Sequence, residues 1–292
     1  MEKIWLDTDI GSDIDDAVAL AYLLSKPECK LIGISTVSGE AVKRAQIADA
    51  LCNVAGKSIP IFPGAEKPII GTQRQPKAPQ ANKLYNWKHE TEATFQPNTA
   101  VKAMYQAIKE NPGEITLLAI GPLTNVALLL RTHPDVVGML KSVMLMAGAF
   151  LENIPMRRDA EWNVRCDTIG AAMVFAEKGL RIRCVGLDVT LKVQLDKEQT
   201  TKRFATPLLQ AVRDFADAWF AHRDDIIFHD PLAAACMFVP DIVTYKRGFV
   251  KVELGGEGYG RTDFIEDENG LHEIAVAVDA AAMLEEYFKN QK

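Results

Sequence analysis

The sequence lacks any pair of cysteines at C-x-x-C spacing; its five cysteines (Cys29, Cys52, Cys166, Cys184 and Cys236) are scattered and odd in number. That argues against a disulfide framework and fits buried free thiols in a reducing compartment. A basic excess is also missing. With 33 Lys and Arg against 39 Asp and Glu, a net charge of −6 and a pI near 5.5, the chain has no basis for the cationic stripe that nucleic acid requires, so a small-molecule partner is expected. No apolar run is long enough to span a bilayer. The longest, Ile115 to Leu130, is broken by Gly121-Pro122 and Thr124-Asn125. Met1-Glu2-Lys3 leads straight into a predicted strand, without the apolar region of a signal peptide, so a cytoplasmic protein with no membrane partner is expected. No Pro/Ser/Gly-rich linker and no internal repeat divides the chain. A single domain over 1–292 is therefore expected, with a hydrophobic fraction of 48% to fill its core.

What is present begins with acid. Between the apolar runs Ile4-Trp5-Leu6 and Ala17 to Leu24 stand Asp7, Asp9, Asp13, Asp15 and Asp16, five carboxylates in ten residues. Like charges so close repel unless a proton, a cation or water relieves them, and apolar flanks hinder solvation. A hard divalent cation is the simplest remedy. An all-oxygen set of ligands suits calcium or magnesium rather than zinc. Helix capping by Asp15 or Asp16 would account for only two of the five.

The remaining chain alternates strand-like and helix-like segments, with near-continuous apolar content in the strands (Lys30 to Val37, Ile115 to Ile120, Val143 to Ala147, Ile182 to Leu187). This predicts an α/β, Rossmann-like fold: a mostly parallel sheet with helices on both faces. Val250 to Leu254, Gly258 to Phe264 and Ile274 to Val278 are expected to form a small antiparallel C-terminal addition. The stretch 68–97 is rich in Gln, Pro, Asn and Lys and lacks periodicity, which makes it a lid candidate. Ligands of such sheets bind beyond the carboxyl ends of the strands. Asp7 and Asp9, Ser38-Gly39, Ile120-Gly121, Gly148 with Asn153, and Asp188 all follow predicted strands and should share one rim.

Several motifs fail on context. Gly56-Lys57-Ser58 ends a helix where a P-loop would begin one. Counting an EF-hand from Asp7 puts Ser12 where glycine is needed and Val18 where glutamate is needed. More informative are His229-Asp230-Pro231, where a group titrating near neutrality adjoins a carboxylate, and Ala160-Glu161-Trp162-Asn163, a carboxylate and an amide able to grip hydroxyl groups.

Taken together, Asp7-Thr8-Asp9-Ile10-Gly11 with Asp15-Asp16-Ala17, Ile120-Gly121-Pro122-Leu123-Thr124-Asn125, Ala160-Glu161-Trp162-Asn163 and His229-Asp230-Pro231 resemble the inosine/uridine-preferring nucleoside hydrolase family, in the family's order and over nearly the whole chain. The resemblance implies metal-dependent hydrolysis of the N-glycosidic bond of ribonucleosides, with a calcium ion held by Asp9, Asp16, the Ile120 carbonyl and Asp230. Asp9 would also be the general base. Asp15, Asn153, Glu161 and Asn163 would bind the sugar, His229 would protonate the leaving base, and Trp162, Phe150 or Trp219 would stack on it. It also implies a homodimer or homotetramer. The chain departs from the family pattern in three places. Ser12-Asp13-Ile14 stands where one residue is usual before the Asp pair, Glu40 replaces a frequent Asn, and the 68–97 stretch lacks a His-Gly-rich pattern. Two alternatives stand beside this reading: a phosphate-ester hydrolase with Asp7 as nucleophile, suggested by the Asp-x-Asp after a strand but weakened by Gly11, and a nucleoside- or ribose-binding protein that has lost catalysis.

Overall fold

A computed structural model describes residues 1–151 and 160–291. In chain order its regular elements are β1 (Glu2–Thr8), α1 (Asp15–Ser25), β2 (Cys29–Thr36), α2 (Ala41–Val54), β3 (Ile61–Pro63), α3 (Ala100–Glu110), β4 (Ile115–Ala119), α4 (Thr124–Thr132), β5 (Ser142–Met146), α5 (Trp162–Cys166), α6 (Thr168–Phe175) and β6 (Ile182–Val185). There follow α7 (Leu187–Thr190), β7 (Gln194–Asp196), α8 (Lys197–Arg203), α9 (Pro207–Phe215), α10 (Asp217–Phe220), β8 (Asp225–Ile227), α11 (His229–Ala235), β9 (Val243–Val252), β10 (Thr262–Glu266), β11 (His272–Val278) and α12 (Ala280–Lys289).

Nine strands form one sheet in the order β10-β9-β11-β6-β5-β4-β1-β2-β3, parallel from β3 through β11 and antiparallel only at β9 and β10. The α/β architecture and the antiparallel C-terminal edge match the sequence expectation, with one difference. β11 is not confined to the antiparallel addition, because β6 offers it a parallel edge at His272 to Ile274 while β9 pairs on its other side. A second small sheet, β7 with β8, carries no periodic signal in the sequence because its strands have three residues each. The helical pattern of Leu208 to His222 predicts one helix, and the structure divides this stretch into α9 and α10.

β1 shows why the sheet is covered on both faces. Ile4 and Leu6 pack with the apolar faces of α1, α2, α9 and α11, whereas Trp5 packs on the opposite side with Met104, Leu123 and Val126 from the α3–α4 layer. A central parallel strand buried on both sides must be apolar where it is covered, as this one is from Ile4 to Leu6. Among the described residues no helix is long and apolar enough to cross a membrane.

The connections run in opposite directions from β1, to β2 and β3 on one side and from β4 to β5 and β6 on the other. The strand order therefore switches between β1 and β4. Loops leaving the carboxyl ends of these two strands must part, and the crevice between them is where a ligand fits. Asp9 follows β1 and Ile120 follows β4, which puts the acidic stretch at this switch point.

Candidate active site

The acidic loop turns at Gly11, whose φ of +121° is open to glycine but strained for other residues, and a Cβ there would press on Ala78 and Ile47 at 3.0 Å. The chain then enters α1 with Asp15 and Asp16 in its first turn, where the amino end of a helix favours negative charge. Asp15 Oδ2 in turn accepts from the backbone N–H of Asp230 at 3.2 Å, tying α1 to the start of α11. Carboxylate oxygens of Asp15, Asp16 and Asp230 come within 4.8 Å of one another, and all three residues are buried.

These residues line a cavity of about 570 Å³ that also receives Asp9, Ile120, Glu161, Trp162, Asn163 and His229. Four motifs from distant parts of the sequence are thereby brought together. Phe150 is not on the cavity wall. Its ring lies in the core beneath Gly148 and Gly186, close enough that a Cβ on Gly148 would stand 2.7 Å from it, and its backbone N–H donates to Asp188. Asn153 lies outside the described residues. Trp219 lines the cavity with Leu191 and Ile227, and Trp162 also faces it.

Burial is the dominant electrostatic fact. It raises the pKa of Asp9, Asp15, Asp16 and Asp230 above the usual carboxylate value, and the charges of the neighbouring aspartates push Asp15, Asp16 and Asp230 further up. Asp13 is pushed up to about 6 by the same burial, although its Oδ1 accepts from the Ile14 N–H. The nearby Arg44 guanidinium opposes this rise at Asp9, but it bonds backbone carbonyls rather than closing an ion pair. Clustered carboxylates with raised pKa and only oxygen donors fit a hard divalent cation. Asp15, Asp16 and Asp230 form the cluster that could hold one, with Asp9 and Ile120 on the same cavity wall.

Glu161 caps α5, accepting from the N–H groups of Asn163 and Val164, and also from Gly148. Burial raises its pKa, with these three N–H groups pulling the other way. Asn163 donates its amide to the Ile120 and Met146 carbonyls at 2.8 and 3.0 Å. Burial pushes His229 down to about 4, and its Nδ1 lies 2.7 Å from Thr190 Oγ1, which fixes the ring.

The three departures from the family pattern have local accounts. The additional residues Ser12 and Asp13 are clamped through their carbonyls by Gln80 Nε2, and Gly11 by the Gln80 N–H. Glu40 turns away to Lys43, Lys77 and the Ala78 N–H. The 68–97 stretch contains a 3-10 turn at Pro79–Asn86 and delivers Gln75 to the cavity, a residue that sequence motifs did not single out.

Asp7 is wholly buried, its Oδ1 holding Ser35 and Asn125 and its Oδ2 without a partner, so it has no access to a substrate as a nucleophile. Burial pushes it up to about 7, well above its unfolded value near 3.9. Its stabilising contribution is thus full below about pH 4 and lost as pH rises through 7. Asp7→Asn does not titrate, and it is expected to gain on the order of 2 kcal/mol relative to wild type between pH 5 and pH 8. Denaturant unfolding of both proteins at the two pH values checks this, and an equal difference at both would refute it.

The comparisons with known proteins agree with this geometry. The model of the family described as inosine-uridine preferring nucleoside hydrolase matches residues 4–285. Uridine nucleosidase 1 of Arabidopsis thaliana is 29% identical over 280 residues, covering 89% of this chain and 81% of that protein. The non-specific ribonucleoside hydrolase of Salmonella paratyphi C is 32% identical over 292 aligned positions, covering 96% and 92%. A solved plant nucleoside hydrolase superposes with a TM-score of 0.84 at 26% identity, over 99% of this chain and 98% of that one. The chain belongs to the inosine-uridine preferring nucleoside hydrolase family, enzymes that hydrolyse the N-glycosidic bond of ribonucleosides to free base and ribose.

Proposed function

We propose that this cavity performs that hydrolysis with a bound calcium ion, Asp9 acting as general base. The observation that carries the reading is the meeting of Asp15, Asp16 and Asp230 oxygens within 4.8 Å, in one cavity with Asp9, Glu161, Asn163 and His229. Asp9, Asp16, Asp230 and the Ile120 carbonyl are the proposed ligands of the ion, which when bound lowers the pKa of the attacking water. Asp9 takes the water's proton. Asp15 accepts from a ribose hydroxyl, and Glu161 and Asn163 hold the rest of the sugar, the Asn163 amide N–H groups being occupied and its carbonyl oxygen left to accept. Asn153 is assigned to the same task by family resemblance.

As the glycosidic bond breaks, positive charge develops on the ribose ring. The carboxylates around it stabilise that charge more than the neutral substrate, which is the differential binding a catalyst needs. His229 stands at the leaving-base end. Being held neutral at pH 7 by burial, it serves there as a hydrogen-bond donor, with full protonation favoured toward acid pH. Trp162 and Trp219 supply faces for the base to stack on. Stretch 68–97 covers the site as a lid, and the active form is a cytoplasmic homodimer or homotetramer.

Release of reducing sugar from a panel of purine and pyrimidine ribonucleosides, with calcium and with chelator, tests the reading. Turnover that needs the cation is the expected result. Failure of the calcium-loaded protein to cleave any N-riboside would refute it, and ribose binding without turnover would favour a binding protein.

A further inference from the structure

The Asp9 carboxylate is fixed from three sides. Its backbone carbonyl accepts from Arg44 Nη1, and Gly121 lies so near Oδ1 that a Cβ there would be 2.8 Å away. Its other oxygen, Oδ2, accepts from Gln75 Nε2 at 2.8 Å, across 66 residues of sequence. Gln75 is buried, and its own Oε1 accepts from Trp162 Nε1 at 2.8 Å. An indole N–H can only donate. It therefore requires the oxygen end of the Gln75 amide, which turns the NH2 end toward Asp9. The bonds form a directed chain, Trp162 to Gln75 to Asp9.

Arg44 holds the backbone on which this chain rests. Fully buried in α2, it donates from Nη2 to the carbonyls of Lys77 at 2.9 Å and Gln75 at 3.4 Å, and from Nη1 to Ile10 at 3.1 Å as well as Asp9. The acidic loop and the segment carrying Gln75 thus share one guanidinium.

Resting on the hydrolysis proposed above, we propose that Gln75 is a positioning residue, setting the plane of the Asp9 carboxylate for proton abstraction, and that Trp162 acts on Asp9 through it. Without this amide Oδ2 loses its donor and the carboxylate plane shifts, and small misplacements of a reacting group slow a reaction by large factors. Gln75→Met keeps the length and removes the donor. It is expected to lower kcat about 10- to 100-fold with KM changed less than about threefold. Gln75→Glu keeps the shape, replaces the donor with a carboxylate and should be at least as slow. Trp162→Phe keeps an aromatic face and removes the N–H, with an expected kcat loss of about 3- to 10-fold. Because the indole acts through Gln75, the double variant Gln75→Met/Trp162→Phe should be no slower than Gln75→Met alone.

The test is steady-state kinetics of the four variants with saturating calcium, alongside melting temperatures that separate lost activity from lost fold. Either glutamine variant retaining kcat within twofold of wild type overturns the inference, as does a double variant whose losses multiply. A wild-type chain that cleaves no ribonucleoside would instead refute the functional reading, so the two failures are distinguishable.

Discussion

Asp9→Asn is expected to lower kcat for ribonucleoside hydrolysis by about 10³-fold, the range found when a general base is removed from an otherwise intact site. The substitution is nearly isosteric, so its effect is chemical. The amide can keep its oxygen on Gln75 Nε2, but its NH2 then occupies the place of Oδ1 beside Gly121. An NH2 neither accepts the proton of water nor ligates a cation. The reverse orientation is worse, since it sets NH2 against NH2 at Gln75, whose own orientation is fixed by the Trp162 N–H. Asp9→Asn should therefore lose turnover and weaken the cation while leaving the fold intact. Kinetics across a calcium titration separate the two losses. A rate within tenfold of wild type at saturating calcium would remove Asp9 from the role of base.

The acidic stretch was legible in sequence because charge stood where the surrounding pattern demanded apolar residues. Asp15, Asp16 and Asp230 sit at the starts of apolar helices, and the rule that ligands bind at carboxyl ends of parallel strands was enough to bring Asp9 and Ile120 to one rim. Glu161 and Asn163 were legible only in company with the other motifs. Gln75 and Arg44 were not legible. A glutamine in an aperiodic stretch and an arginine inside a helix carry no local mark, and their importance lies in bonds to Asp9 across 66 and 35 residues. Phe150 illustrates the opposite failure. An aromatic residue just past a strand reads equally well as cavity wall or as core, and the choice depends on the glycines Gly148 and Gly186, which leave room for the ring beneath the rim. β11 pairs antiparallel with β9 as its pattern predicts, and only the edge that β6 offers decides that it also extends the parallel sheet.

Removing the cation is expected to abolish hydrolysis and to reverse the pH dependence of stability at the site. In the cation-free protein, burial raises Asp9, and burial together with mutual repulsion raises Asp15, Asp16 and Asp230, above their unfolded values. Groups with raised folded pKa contribute stability that is complete at low pH and lost as pH rises through the folded value. The chelated protein should therefore melt at progressively lower temperature from pH 5 to pH 8. A divalent cation competes with protons for the same oxygens, so its affinity rises over the same interval. Calcium at about 1,000 times its dissociation constant adds roughly 4 kcal/mol of stability. At one fixed calcium concentration the increment should be largest at pH 8, where affinity and uncompensated charge are greatest. Magnesium, which demands tighter octahedral geometry and gives up water reluctantly, should restore less of both stability and turnover. Thermal unfolding with chelator, calcium or magnesium at pH 5, 6.5 and 8 measures the crossing of the two trends. A calcium increment that is absent at pH 8, or larger at pH 5, would mean that the aspartates at the β1–β4 switch point hold protons rather than a metal ion.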